Sequence, residues 1–401
     1  MPNRTNDNQQ DFLRLQGQTN PFPYLIDVDR AEGSWIIDTS GKRYLDMIAG
    51  VAVNNIGHNH PKVVSAIKSQ VDRHMHVMVY GEFVQDAQLN FARKLTSLLP
   101  DSLNAVYTVN SGTEANEAAL KLAKRVTGRT ELISFRGSYH GSTHGSMSVS
   151  GNETKKEAFR PLLPDVRFLT FNEAAELEQI TEKTAGVIIE TIQGDAGVRV
   201  PSKEFLKALR DRCTEVGAQL IFDEIQCGMG RTGKLFAFEH FDVVPDILTL
   251  GKALGGGMPI GALVSSKENL HQFTFNPMLG HITTFGGHPV VCAAGHACLE
   301  VLDSEIDFNE VERLGALLES LLENEPEIKE IRCIGMMFAF DMESFERVEK
   351  VVKKCLEKGL ISFWFLSHPY SFRLSPPLNI SEEEILEAAK IIGEAIGDTR
   401  S

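Results

Sequence analysis

The chain has 401 residues, 42% of them hydrophobic, and carries a formal net charge of -14. Its length suits about two domains, and an acidic chain without a polybasic stripe argues against a nucleic-acid partner. Cys213, Cys227, Cys292, Cys298, Cys333 and Cys355 form no C-x-x-C pair, the N-terminus lacks an apolar leader, and no run of about 18 apolar residues occurs, so we expect a cytoplasmic protein with reduced cysteines, no metal and no membrane partner.

Residues 1–20, rich in Asn and Gln, read as a mobile or partner-draped arm. The stretch 33–47 (GSWIIDTSGKRYLDM) alternates around a Ser-Gly turn and predicts a hairpin. From about 61 to 290, helix-period segments alternate with the apolar runs AVYTV, ELISF, VRFLTF, GVIIE, QLIFD, DILTL and ALVSS. Such alternation builds a mostly parallel sheet covered on both faces, with a binding crevice at the carboxyl ends of the strands. Beyond about 291 come charged amphipathic helices with strand-like IGMMFAF and SFRLS between them, which predict an α+β layer. The expected division is 1–60 as arm and hairpin, part of a small domain; 61–290 as a large α/β domain; and 291–401 as a C-terminal small domain.

Lys252, flanked by small residues in LTLGKALGGGMPIGALV, and Asp223, ending the apolar run QLIFD, carry the chemistry. A free amine and a carboxylate at the far side of a flat ligand are what pyridoxal phosphate needs, for a Schiff base and for a protonated pyridine nitrogen. Gln226, three residues after Asp223, is placed to reach the ring's phenolic oxygen. SGTEANEAALKLAKRV (111–126) follows a strand and opens a helix with Ala115, Ala118, Ala119 and Ala123 on one face. Ser111, Gly112 and Thr113 there offer either a phosphate site or only a Ser111-to-Glu114 capping box.

Tyr139 and His140 follow the next strand, where an aromatic ring could stack on a cofactor. His140/His144, His58/His60 and His74/His76 lack a carboxylate or cysteine that would complete a metal site. Glu190 ends a strand, with Gln193 and Asp195 in the loop beyond it; these acids either orient a ring, pair with an arginine or are ordinary loop acids. Gly228, Gly230 and Gly233 match G-x-G-x-x-G but open no helix, and Gly251-Lys252 lacks the rest of a P-loop, so neither nucleotide site is expected. Thr283 and Thr284 are candidate phosphate donors, and Arg373 a candidate carboxylate clamp.

In their order, SGTEANE, YHG, E-x-x-Q-G-D-x-G, DEIQ, GKALGGGMPIGA, TTFGGHP and R-x-x-PPL resemble the class III pyridoxal-phosphate aminotransferases of the acetylornithine, ornithine and 4-aminobutyrate type. The resemblance covers roughly residues 20–390. It implies a fold-type I α/β architecture with a smaller α+β domain, working as a homodimer with a shared site. It also implies a ping-pong transfer from an amine or amino acid to an oxo acid, 2-oxoglutarate by preference.

Carried over, Lys252 is the Schiff-base lysine and proton shuttle, Asp223 pairs with the pyridine nitrogen, and Gln226 reaches the phenolic oxygen. Gly112 and Thr113 hold the phosphate, Tyr139 stacks on the ring, Glu190 supports its side, and Thr284 serves the neighbouring subunit's phosphate. Arg373 matches the arginine for the oxo-acid carboxylate, shielded by the loop acid. Three departures bear on the substrate. Ser142 stands where relatives that take acetylornithine or 4-aminobutyrate carry Arg, Asp195 stands where a Glu is usual, and Thr19 stands where ornithine-specific members carry Tyr. No single donor is therefore named. An aminomutase, an amino-acid racemase and a non-catalytic cofactor-binding protein are the competing readings on the same fold.

Overall fold

The computed structural model describes residues 7–400. Fifteen strands run in chain order: β1 (Val28–Glu32), β2 (Trp35–Asp38), β3 (Arg43–Asp46), β4 (Ala105–Val109), β5 (Glu131–Phe135), β6 (Val166–Leu169), β7 (Thr184–Glu190), β8 (Gln219–Asp223), β9 (Ile247–Leu250), β10 (Gly261–Ser265), β11 (Glu330–Ile334), β12 (Met337–Asp341), β13 (Leu360–Ile361), β14 (Phe363–Trp364) and β15 (Ser371–Leu374). The seven apolar runs singled out in the sequence, β4 to β10, form one sheet in the order β4-β10-β9-β8-β7-β5-β6. Six of them run in one direction, while β10 runs antiparallel to its neighbours β4 and β9. Every residue of β7 is buried, which is why its sequence is a continuous run rather than an alternation.

Helices cover this sheet. The helix Gly112–Thr127 starts on Ser111, whose side chain accepts from the Glu114 N–H, and stops at Gly128 in the left-handed region at φ 69°. Only half of the expected capping box forms, because the Glu114 carboxylate turns to the N–H and side chain of Asn110 instead of to Ser111. The helix Pro289–Ser304 buries Val290, Cys292, Ala294, Cys298, Leu299 and Leu302 against the helices Pro61–Arg73 and Asp86–Ser97. It therefore packs with the large sheet's helices, although the sequence reading set it at the start of the C-terminal layer.

Strands β11, β12, β15 and β14 form an antiparallel sheet backed by the helices Phe308–Leu322, Phe345–Glu357 and Glu382–Asp398. The expected hairpin is β2–β3, and β13 joins it in parallel through Leu360↔Leu45, so the chain's two ends meet in one sheet. Part of the N-terminal arm is helical: Asp7–Leu15, with an acid in its first turn, an arginine in its last and no buried residue. Residues 1–6 of that arm lie outside the described residues. No described helix is long and apolar enough to cross a membrane. Five cysteines are buried, Cys333 is half-buried, and all six are free.

Candidate active site

The sheet brings its chemistry to one edge, since Asn110, Glu190, Asp223 and Gly251 all fall at or just past the carboxyl ends of β4, β7, β8 and β9. The β7–β8 register sets Glu190 beside Asp223, so two buried acids share this edge. A cleft of about 260 Å³ opens there. Lys252 and Asp223 line it together, with Gly112 and Thr113 from the helix start, Tyr139, His140 and Ser142 from the loop after β5, and Glu190 and Gln226.

Asp223 is the best-served group in the cleft. Its Oδ2 accepts from Asn116 Nδ2 at 2.7 Å and meets His140 Nδ1 at 2.8 Å, while Oδ1 accepts from the Ile225 N–H at 3.0 Å. Asn116 is locked in turn, donating also to His140 O at 2.7 Å and accepting from Thr249 Oγ1 at 2.8 Å. Sequence reasoning missed Asn116. The only signal was an amide set between Ala115 and Ala118 on a face otherwise lined with alanine.

Burial is the largest influence on Lys252 and pulls its ammonium below the ordinary lysine range, against the attraction of Asp223 and with Arg373 adding to the effect. The residue also holds a left-handed backbone, φ 45°, a strained conformation for a non-glycine residue. Glu190 accepts from the Tyr139 and Gly194 N–H groups, each at 2.9 Å. Burial nevertheless pushes its carboxyl up to about 7, with His140 opposing and Asp223 adding. Tyr139 keeps 40% of its surface exposed, so its ring is available to a flat ligand, and its hydroxyl lies 3.1 Å from Ser142 Oγ.

Other expected site residues lie outside this cleft. Ser111 caps the helix. Arg373 is buried on β15 with its guanidinium 5.6 Å from the ring centroids of both Phe363 and Phe365. Asp195 is also buried, but its carboxylate is bound to the segment 366–367 and not to Arg373. Thr283 accepts from Gly286 N and Asn110 Nδ2 and lines a separate, apolar groove of about 680 Å³, and Thr284 beside it is exposed. Tyr24, whose hydroxyl donates to Ser362 O at 2.6 Å, is a further neighbour of Arg373 that sequence reasoning did not find.

A family model described as aminotransferase class-III matches residues 17–396. The chain belongs to that family. It is 42% identical over 368 residues to an acetylornithine aminotransferase of Methanocaldococcus jannaschii, covering 88% of this chain and 89% of the relative. It is 37% identical over 339 residues to a [LysW]-aminoadipate semialdehyde/glutamate semialdehyde transaminase of Sulfurisphaera tokodaii, covering 82% and 84%. The crystal structure of ornithine aminotransferase from Toxoplasma gondii superposes with a TM-score of 0.90 at 30% identity, covering 97% of this chain and 95% of that one. The protein is thus a pyridoxal-phosphate-dependent aminotransferase with a fold-type I architecture.

The cleft fits that cofactor on its own terms. It offers a buried amine whose proton is loosened, a carboxylate saturated with donors, and free N–H groups at a helix start. The walls are tight. A Cβ on Gly141 would lie 2.3 Å from Thr113 Oγ1, and one on Gly112 would lie 2.8 Å from the Ile225 side chain.

Proposed function

We propose that the cleft bounded by Lys252 and Asp223 is where this aminotransferase holds pyridoxal phosphate and exchanges an amino group between a carboxylate-poor amine and an oxo acid, 2-oxoglutarate by preference. The observation that carries the reading is the presence of a buried amine and a donor-saturated carboxylate in one small cleft. When bound, the cofactor supplies an aldehyde and an electron-accepting ring. Lys252 Nζ would hold the aldehyde end and, when free as an amine, would accept and return the proton at the substrate carbon. Asp223 would face the pyridine nitrogen and keep it protonated, Gln226 would reach the phenolic oxygen, and Tyr139 would stack on the ring. Gly112 and Thr113 would receive the phosphate, with Ser111 and His140 behind them, and Glu190 would support the ring's edge.

Arg373 is read as the seat of the oxo-acid carboxylate, and Ser142 as the neutral end that receives the donor. Acetylornithine is the donor named for several relatives. Here the Tyr139 hydroxyl and Ser142 leave that end of the cleft without a cation, which favours a donor poor in carboxylates. A homodimer is part of the proposal. Val84 and Met278 stand 88% and 78% exposed around the apolar groove, more apolar surface than a lone chain keeps without a use. A second copy would cover it and bring Thr284, with Thr283 behind it, toward the neighbouring phosphate. We also read residues 1–60 and the C-terminal layer as one small domain, through the β3–β13 pairing.

Glutamate formed from 2-oxoglutarate with a panel of amines tests the reading. Lys252→Ala should abolish it in a folded protein. Substantial activity in that variant, or a strong preference for 4-aminobutyrate, would overturn the respective assignment.

A further inference from the structure

Arg373 is a buried guanidinium that no acid among the described residues pairs with. Its Nε has no hydrogen-bond partner among the described residues, and the faces that flank it belong to Phe363 and Phe365. The acid that acts on it electrostatically, Asp195, is held elsewhere: its Oδ1 accepts from the Leu366 N–H at 3.0 Å and its Oδ2 from Ser367 Oγ at 2.7 Å. Asp195 is close enough to act on Arg373 electrostatically, yet the two form no ion pair.

Both sides of this arrangement are braced. Ser367 Oγ accepts from Asn152 Nδ2 at 2.9 Å, which leaves its proton for Asp195. The loop that carries Asp195 is gripped at its other end, where Arg332 Nε donates to Gly197 O at 2.5 Å while its Nη1 pairs with Asp341 at 2.9 Å. An internal carboxylate beside a buried guanidinium would compete with any incoming carboxylate, because both satisfy the same charge.

We propose that Ser367 is a positioning residue: together with the Leu366 N–H it keeps the Asp195 carboxylate off Arg373, so that the guanidinium stays open to the oxo acid. This rests on the reading of Arg373 as the acceptor's seat. Ser367→Ala removes one of the two donors that restrain Asp195 and lets that carboxylate turn to Arg373.

The test uses the full-length protein loaded with pyridoxamine phosphate and mixed with 2-oxoglutarate, with the absorbance change of a single turnover recorded against oxo-acid concentration. For Ser367→Ala the concentration giving half the limiting rate should rise about tenfold, with the limiting rate changed by no more than about twofold, as for loss of binding that is equal in ground and transition states. Ser367→Ala combined with Asp195→Asn should return close to the parent value, a rescue that mere loosening of the segment would not give. An unchanged concentration dependence in Ser367→Ala, or no rescue in the double variant, overturns the proposal. Arg373→Ala separates the two layers: if it weakens 2-oxoglutarate while Ser367→Ala does not, only the positioning role fails. If neither substitution matters, the acceptor-seat reading itself is wrong.

Discussion

Asp223→Asn probes the centre of the site with almost no change of shape. The parent carboxylate meets a donor on each side, Ile225 N–H at Oδ1 and both Asn116 Nδ2 and His140 Nδ1 at Oδ2. An asparagine has one oxygen and one NH2, so in either orientation the NH2 must face a donor. Asn116 cannot turn to accept, because its own oxygen is held by Thr249 and its amide is shared with His140 O. A buried donor left without an acceptor costs about 1–3 kcal/mol of stability. The cost to turnover should be larger, because the charge proposed to face the pyridine nitrogen disappears from a buried position, and removal of one preorganised electrostatic group costs about 10²–10³-fold in kcat. Glutamate formation at saturating cofactor gives kcat, and urea unfolding of the same preparations gives stability. A variant with kcat within about fivefold of the parent would refute the assigned role, and one with unchanged unfolding would refute the donor inventory.

Burial pushes Glu224 up to about 8 from an ordinary 4.5, so the folded state favours its neutral form. The resulting stability is fully present below about pH 4.5 and is lost as pH rises through about 8. Glu224→Gln starts at a deficit, because its NH2 must face one of the Thr191, Ala237 and Phe238 donors, but it should improve relative to the parent by a few kcal/mol from the low to the high end of that window; a pH-independent difference in urea midpoints would refute this. Gly141→Ala places a Cβ 2.3 Å from Thr113 Oγ1 at φ 129°, so pyridoxal phosphate titration should show affinity down by about tenfold or more; parent-like affinity would show that the loop yields freely. Arg231 is fully buried and donates to Met336 O, Pro376 O and Asn55 Oδ1. Arg231→Ala orphans all three and should cost about 3 kcal/mol or more in denaturant unfolding, against which a loss below about 1 kcal/mol would count.

The strands of the large sheet were legible because a strand buried on both faces must be apolar throughout, and β7 is so buried. Lys252, Asp223 and Glu190 were legible for a related reason: a charged residue directly after such a run sits at the sheet's edge, where binding crevices open. What escaped notice depends on contacts between segments far apart in the chain. Asn116 reads as one more polar residue on a helix until Asp223, 107 positions later, is seen to need its amide. Arg231 sits in a glycine-rich loop typical of the surface, and only Asn55 and the 336 and 376 carbonyls make its burial possible. Likewise, the N-terminal arm's polar composition gave no hint of the helix Asp7–Leu15.

The pairing of Glu190 with Asp223 across β7 and β8 poses a problem that the surrounding donors resolve. Two carboxylates side by side and out of water repel, so full charge on both is costly. Asp223 accepts from Asn116 Nδ2 and the Ile225 N–H and meets His140 Nδ1. Glu190 receives two backbone N–H groups, and burial with the neighbouring acid still drives it up to about 7. Asn116 makes the difference in donors: Thr249 of β9 holds its oxygen, and its amide serves Asp223 and makes no hydrogen bond to Glu190. Asp223 is thus the better supplied with donors of the two carboxylates in the cleft. It faces an amine that burial has already made easier to deprotonate, the combination a lysine needs if it is to bind an aldehyde and later take up a proton.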